Sequence, residues 1–400
     1  MSISQDALRE DAKVWECLGP VASGGTVFGL AISPVEEVRR CWAASGCGVF
    51  RSDDEGQSWV QTLRGLTTPL LSAMTVAHNG ALFAGALGGD LFASFDYGAT
   101  WEAGLVPEES RATVTSLLAS PKFKQDGTVF AATDGGGLLV SRSSGKQWED
   151  SSFGLDSETV LALASSPDWS AREVMFAATL EGVFISRNGG RAWRETGLML
   201  DDDVVDALAV SLAFEQDQTV YAGTEGGRVY RSTDGGRTWD LAGGVADAGP
   251  INCLLIVADT GRILAAMGHS LYISDDGGEA WRLATELPGS ILTLSSQGPL
   301  LMAGLHDAGV AKSVDSGATW TLVSAGLAAR GFARLVQSDG RFMAVGPQEG
   351  VWISADGAAT WAPVRGTEEL LPISALAALA SGDLLVASER RGILRSSDQG

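Results

Sequence analysis

Four cysteines, three histidines and four tyrosines in 400 residues, with 28 basic side chains against 49 acidic ones, exclude several kinds of protein at once. Cys17, Cys41, Cys47 and Cys253 are too few to staple a chain of this size, and three of them fall in predicted strands, where a thiol packs as a small hydrophobe. His78, His269 and His306 lie far apart in sequence, so no histidine-based zinc site is expected, and no other metal or cofactor is. A net charge of −21 disfavours nucleic acid, whose phosphates bind through Lys and Arg, and disfavours anionic membrane surfaces for the same reason. No run of 18 apolar residues is present, so membrane insertion is not expected. The first residues have neither a basic n-region nor an apolar h-region, and no Asn-x-Ser/Thr site occurs. The expectation is a cytoplasmic monomer, with an extracellular location as the alternative.

What the chain has is repetition. The pattern Ser-x-Asp-x-Gly-x-x-Trp recurs, with its Trp at Trp59, Trp101, Trp148, Trp193, Trp239, Trp281, Trp320 and Trp361, at intervals of 39 to 47 residues. A Ser stands seven residues before each, from Ser52 to Ser354, and a further copy begins at Ser396-Ser397-Asp398-Gln399-Gly400. The Asp (Asp54, Asp96, Asp234, Asp276, Asp315, Asp356) can accept hydrogen bonds from amides just downstream, Gly supplies a positive φ, and the Trp anchors the turn to the core with its ring. Asn188 keeps the acceptor in one copy and Ser143 keeps a weaker one in another. In the copy at Ser354 the glycine is one place early, at Gly357, with Ala358 in its usual position, so a distorted turn is predicted there.

Between the turns, three apolar segments rich in small residues recur in each period. Examples are Val160-Leu-Ala-Leu-Ala-Ser165, then Val174-Met-Phe-Ala-Ala-Thr179, then Gly182-Val-Phe-Ile-Ser186. With the strand that the Trp opens, this makes four short strands per period of about 42 residues, which reads as the blade of a β-propeller. Trp15 has no motif before it and reads as a fourth strand without its blade; residues 373–400 read as three strands without a fourth. The predicted fold is therefore all-β, a single closed propeller of nine four-stranded antiparallel blades. The N-terminal strand would pair with the C-terminal three so that no edge is bare. Residues 1–11 are expected to be a tail and residues 12–400 the propeller.

On these residues the chain resembles the Asp-box (BNR-repeat) propellers, a superfamily that includes sialidases, xyloglucan-cleaving glycosidases, sorting-receptor propellers and photosystem II assembly factors. The resemblance runs from Trp15 to Gly400 and is specific for fold, since enzymes and non-enzymes share the motif. It implies a ligand face on the side away from the boxes. On this chain that face carries Asp134, Glu181, Glu225, Asp307, Glu349 and Glu389 in the loops between second and third strands, and Glu108-Glu109, Asp156, Glu158 and Asp201–Asp206 in longer connections. The sharp reading is an acidic ring that recognises a cationic ligand or partner; the bland one is a solvated face that is acidic because the whole chain is. Asp201–Asp203 with Asp206 lacks the spacing and closing Glu of an EF-hand loop. The glycines at 135–137 and 226–227 are followed by strands and by no Gly-Lys-Ser/Thr, so they read as hairpin glycines.

No catalytic residue transfers from the resemblance. Sialidase chemistry needs a Tyr nucleophile and an arginine cluster, yet Tyr97, Tyr221, Tyr230 and Tyr272 fall in motif turns or strands, and the arginines are scattered. The function expected is a non-catalytic binding or assembly scaffold for a protein or glycan partner. The alternative is a glycosidase-like hydrolase using two loop carboxylates about 5–9.5 Å apart.

Overall fold

The computed structural model describes residues 24–35, 40–169, 173–198, 200, 202–244, 249–325, 327–329, 334–338, 340–346, 350–358, 360–379, 383–388 and 390–396. The chain is all-β, as predicted, and forms nine antiparallel sheets in sequence order, here called blades 1 to 9. Blades 1 to 8 have four strands each; blade 9 has three among the described residues. They span residues 27–62, 71–103, 113–150, 160–195, 205–244, 251–286, 291–322, 334–363 and 373–396. Trp15, Asp398 and the expected pairing of the N-terminal strand with blade 9 lie outside the described residues, as do Glu349 and Glu389.

Strand composition follows from position in the stack. The second strands of blades 2, 4 and 6 (Leu82–Ala86, Met175–Thr179, Ile263–Met267) are buried along their whole length, because both sheet faces are covered by neighbours. The fourth strands, such as Glu102–Ala103 and Arg194–Glu195, are exposed and charged. Near the start of the first strand the pairing register slips by one residue in blades 1 to 7 and in blade 9, for instance between Val27 and Gly29 and between Ile291 and Thr293. Such a bulge re-aims the opening side chain toward the preceding blade. That side chain fixes a small residue in its neighbour: a Cβ on Gly85 would lie 2.4 Å from Val114, and one on Gly223 would lie 2.7 Å from Ile251.

The nine blades expected are present, and the packing between them shows which ones meet. The chain divides into two compact units, and within the unit of residues 23–330 the first strand of each blade packs on that of the next, while blade 7 packs on blade 1. The seam repeats the interior contacts: a Cβ on Gly304 of blade 7 would lie 2.8 Å from Val27 of blade 1. Elsewhere a box Trp main-chain N–H donates to a carbonyl of the previous blade's connection, as Trp101 does to Arg64 and Trp193 to Phe153, each at 2.9 Å. Trp59 does the same to Ala325 O at 2.9 Å, and its indole N–H donates to Val323 O at 2.6 Å. Gly24–Gly25 and Ala328–Ala329 add a two-residue parallel ladder. Seven blades therefore close on one another, and blades 8 and 9 pack together as part of the second unit, through Val345, Val351, Ile373 and Leu376.

The boxes have one geometry. In the first, Ser52 Oγ donates to Asp54 Oδ1 at 2.7 Å and accepts the Gly56 N–H at 2.7 Å, while Asp54 accepts the Ser58 N–H at 2.8 Å and its hydroxyl at 2.5 Å. Thr100, Thr238, Thr319 and Thr360 hold the equivalent place in four other boxes. These bonds hold the carboxylates well below the usual range: main-chain and hydroxyl donation from Thr238 lowers Asp234 to about 2, and hydroxyl and main-chain donation from Thr319 does the same for Asp315. Asn188 and Ser143 accept the corresponding amides of Ala192 and Gln147. The indoles of Trp148, Trp281 and Trp320 donate within their own turns, whereas Trp101 Nε1 is buried without a partner.

The distortion predicted at Ser354 does not occur in the bonding. Ala358 N–H donates to Ser354 Oγ at 2.9 Å and Thr360 N–H to Asp356 Oδ1 at 2.9 Å, as in the other boxes. The departure is absorbed by the backbone, since Ala358 adopts φ +72°, which L-residues with a Cβ disfavour by about 1–2 kcal/mol. Ala358→Gly is therefore expected to stabilise by about 0.5–1 kcal/mol after the entropy that glycine adds to the unfolded chain, measured by urea denaturation. A loss of stability would place the strain elsewhere.

Candidate binding face

Antiparallel meanders put the boxes at one end of each blade and the second-to-third and fourth-to-first connections at the other. On that second end of the seven-bladed unit two clefts open. One, of about 520 Å³, is bordered by Glu109, Glu149, Asp150, Glu158 and the loop of Gly135–Gly137. Its glycines are hairpin glycines, as read: Gly137 takes φ +76° and its N–H donates to Glu158 O at 2.7 Å. Glu149 is already paired with Arg142.

The other cleft, of about 450 Å³, is lined by Leu180, Leu200, Asp202, Asp203, Glu225 and Arg228. It arises because the residues entering the first strand of blade 5 face those leaving its second strand, with Val205 opposite Thr224. Asp203, whose side chain is only 6% exposed, accepts the N–H groups of Val204 at 3.0 Å and Gly226 at 2.9 Å and pairs with Arg228 at 3.3 Å. Glu225 N–H donates to Val204 O at 2.9 Å, which fixes the loop, and its side chain is exposed. Asp206, half-buried just beyond, has its carboxyl pushed up to about 6, first by burial and then by the neighbouring charges of Glu225 and Asp203. Carboxylates thus exceed cations here, and among the described residues no group of three His, Cys, Asp or Glu side chains is arranged to hold a metal ion.

Of the acids singled out in the sequence, Glu225 lines this cleft. Asp134 is exposed at the end of a second strand and accepts the Thr159 hydroxyl at 3.1 Å, while Glu181 is exposed on the corresponding loop of blade 4. Asp307 serves the seam: it accepts the Thr26 hydroxyl at 3.0 Å and its N–H donates back at 3.2 Å, while His306 lies 3.2 Å away on its other oxygen. Asp206 and Asp203 were read from sequence only as members of an acidic run. Their convergence with Glu225 follows from hairpin pairing, the signal that identifies them.

The model of the BNR/Asp-box repeat matches residues 230–241, one of the eight boxes described above. Among curated proteins no sequence matches. Solved structures share the fold. The GH74 xyloglucanase of Xanthomonas campestris is 16% identical with a TM-score of 0.68, over 95% of this chain and 73% of that one. The extracellular domain of a one-component system from B. thetaiotaomicron is 16% identical with a TM-score of 0.57, over 94% of this chain and 51% of that one. YCF48 from Cyanidioschyzon merolae is 15% identical with a TM-score of 0.56, over 74% of this chain and 97% of that one, and YCF48 has also been solved bound to D1 peptide, with a TM-score of 0.58. At these identities the likeness is one of fold, and it spans both a hydrolase and a peptide-binding propeller.

Proposed function

We propose that this protein is a non-catalytic binding scaffold in which the seven-bladed unit captures a cationic segment of a protein partner at the Asp203–Asp206–Glu225 cleft. The observation that carries this reading is the charge balance of the cleft, which Asp202, Asp203 and Glu225 line with one cation, Arg228, itself paired with Asp203, while Asp206 just beyond feels the charges of Glu225 and Asp203. A partner Lys or Arg would supply the charge that the cleft lacks, and the resulting attraction would weaken with salt. The structure of YCF48 with D1 peptide supports peptide capture as a use of this fold. In this reading the scaffold works as a cytoplasmic monomer.

A fluorescent Lys/Arg-rich peptide titrated at low salt tests it. Capture is expected to strengthen as pH rises from 5 to 7, because the cation prefers ionised Asp206, whose carboxyl titrates at about 6. Glu225→Gln and Asp206→Asn are each expected to weaken binding about tenfold, a difference of about 1.4 kcal/mol. Unfolding does not mimic that loss in Asp206→Asn. A carboxyl raised in the folded state favours folding below its unfolded value of about 4, and that contribution disappears as pH climbs to about 6. The amide is therefore expected to stabilise the fold at pH 7, by about 1 kcal/mol, much of the shift being screened by water at this half-exposed position. Unchanged peptide binding in both variants contradicts the reading.

The raised carboxyl favours one second reading, a glycoside hydrolase with Asp206 as proton donor and Glu225 as its partner carboxylate. Turnover of a chromogenic glycoside that Asp206→Asn abolishes would support it; a silent panel leaves the scaffold.

A further inference from the structure

The box of blade 3 departs from the others in charge as well as in its missing Asp. Residues 141–148 carry Arg142 and Lys146 and no carboxylate, whereas residues 52–59 carry Asp53, Asp54 and Glu55 and no cation. The connection between the first two strands of the same blade adds Lys122 and Lys124, on either side of Phe123. Three of the chain's five lysines thus stand at one end of one blade; Lys312 is paired with Glu55, and Lys13 lies outside the described residues. One buried ring gathers them. Phe83 of blade 2 has the ring of Phe123 edge-on at 5.2 Å and that of Phe95 edge-on at 6.4 Å, and a Cβ on Gly145, the residue before Lys146, would lie 3.0 Å from it. Ser144 N–H donates to Gly127 O at 3.0 Å, which ties the box to the lysine-bearing connection. Arg142 is paired with Glu149, but among the described residues Lys122, Lys124 and Lys146 have no ion-pair partner. The carboxylates of the same turns, Asp96 and Asp126, direct their oxygens to hydroxyls and N–H groups of their own turns.

We propose that this patch docks an acidic segment of a partner protein that carries large apolar side chains among its carboxylates. Two exposed apolar residues set that chemistry apart from a free anion. Phe95 is 51% exposed beside the lysine-bearing connection, and Leu105 is 69% exposed beside Lys146, whose main-chain O accepts the Leu105 N–H at 2.9 Å. A phosphate ion would engage the lysines and leave both apolar side chains in water, whereas a peptide with Asp or Glu around a Phe or Leu covers them as well. The net charge of −21 does not oppose this at physiological salt, where exposed charges more than about 8 Å away are largely screened and the local balance decides. A polynucleotide fits less well, because its binding grows with the number of phosphates neutralised and three lysines neutralise few. The patch stands at the box end of blade 3, apart from the cleft of blade 5, and its failure would leave the cationic-segment reading intact.

A fluorescent peptide with one Phe and one Leu set among Glu residues tests it, by anisotropy at physiological salt. Lys122→Gln, Lys124→Gln and Lys146→Gln together are expected to weaken capture at least about tenfold, and Phe95→Ser about fivefold. None of these side chains is buried, so the fold is expected to persist, which urea denaturation verifies. Arg237→Gln, which removes the cation at the place of Lys146 in the box of blade 5, is expected to leave capture unchanged, as is Glu225→Gln in the cleft. No capture by the unsubstituted protein, or undiminished capture by the triple variant, would overturn the proposal. So would a single-stranded oligonucleotide or an anionic lipid vesicle that binds as tightly as the peptide and is indifferent to Phe95→Ser, which would assign the lysines to phosphate.

Discussion

Trp59→Ala is expected to destabilise the protein by about 3–5 kcal/mol, the range for removing a large aromatic from a packed core. Trp59 is 3% exposed and contacts both sides of the seam, with Phe50 and Ala43 on its own blade and Met302 and Val310 on blade 7. Its loss also strips the Val323 carbonyl of an indole donor at 2.6 Å. Trp239 is a useful contrast, because it is only partly buried and its indole N–H bonds within its own turn, to Gly236 O at 3.2 Å. Trp239→Ala should cost less, about 1–3 kcal/mol. Urea denaturation with a shared m-value gives both numbers, and a cost below about 1 kcal/mol for Trp59 would mean that blades 1 and 7 do not pack through it.

Most of the local fold was legible. Ser, Asp, Gly and Trp at fixed spacing specified every box, and the hydroxyl residue before the Trp, as in Ser58, Thr100 and Thr238, was present in the sequence but unread as a third partner of the carboxylate. The copy at Ser354 looked defective because Ala358 replaces glycine, yet four hydrogen bonds outweigh the cost of one left-handed alanine.

Which blades meet one another was not legible, for a physical reason. A closing interface uses the same residue types as an interior one. Val27 meets Gly304 as Val114 meets Gly85, and Trp59 bonds to Ala325 as Trp101 bonds to Arg64. Strand counting therefore gives the number of sheets and is blind to which two of them meet. Asp307 shows the same limit at the candidate site, since a loop acid facing solvent in the sequence pattern is a seam acid once Thr26 lies beside it. The acids of blade 5 were visible one by one. Their grouping depended on Val205 pairing with Thr224, which sets the residues before one strand against the loop after the next.

Closure of seven blades on one another is the claim on which the rest depends, and expression of residues 24–330 alone tests it most directly. A closed unit has its own core and no unpaired sheet face, so this fragment is expected to be monomeric in size-exclusion chromatography and to unfold in one cooperative urea transition. A fragment that aggregates through exposed blade faces, or melts without cooperativity, would contradict closure at seven and restore a ring that needs blades 8 and 9.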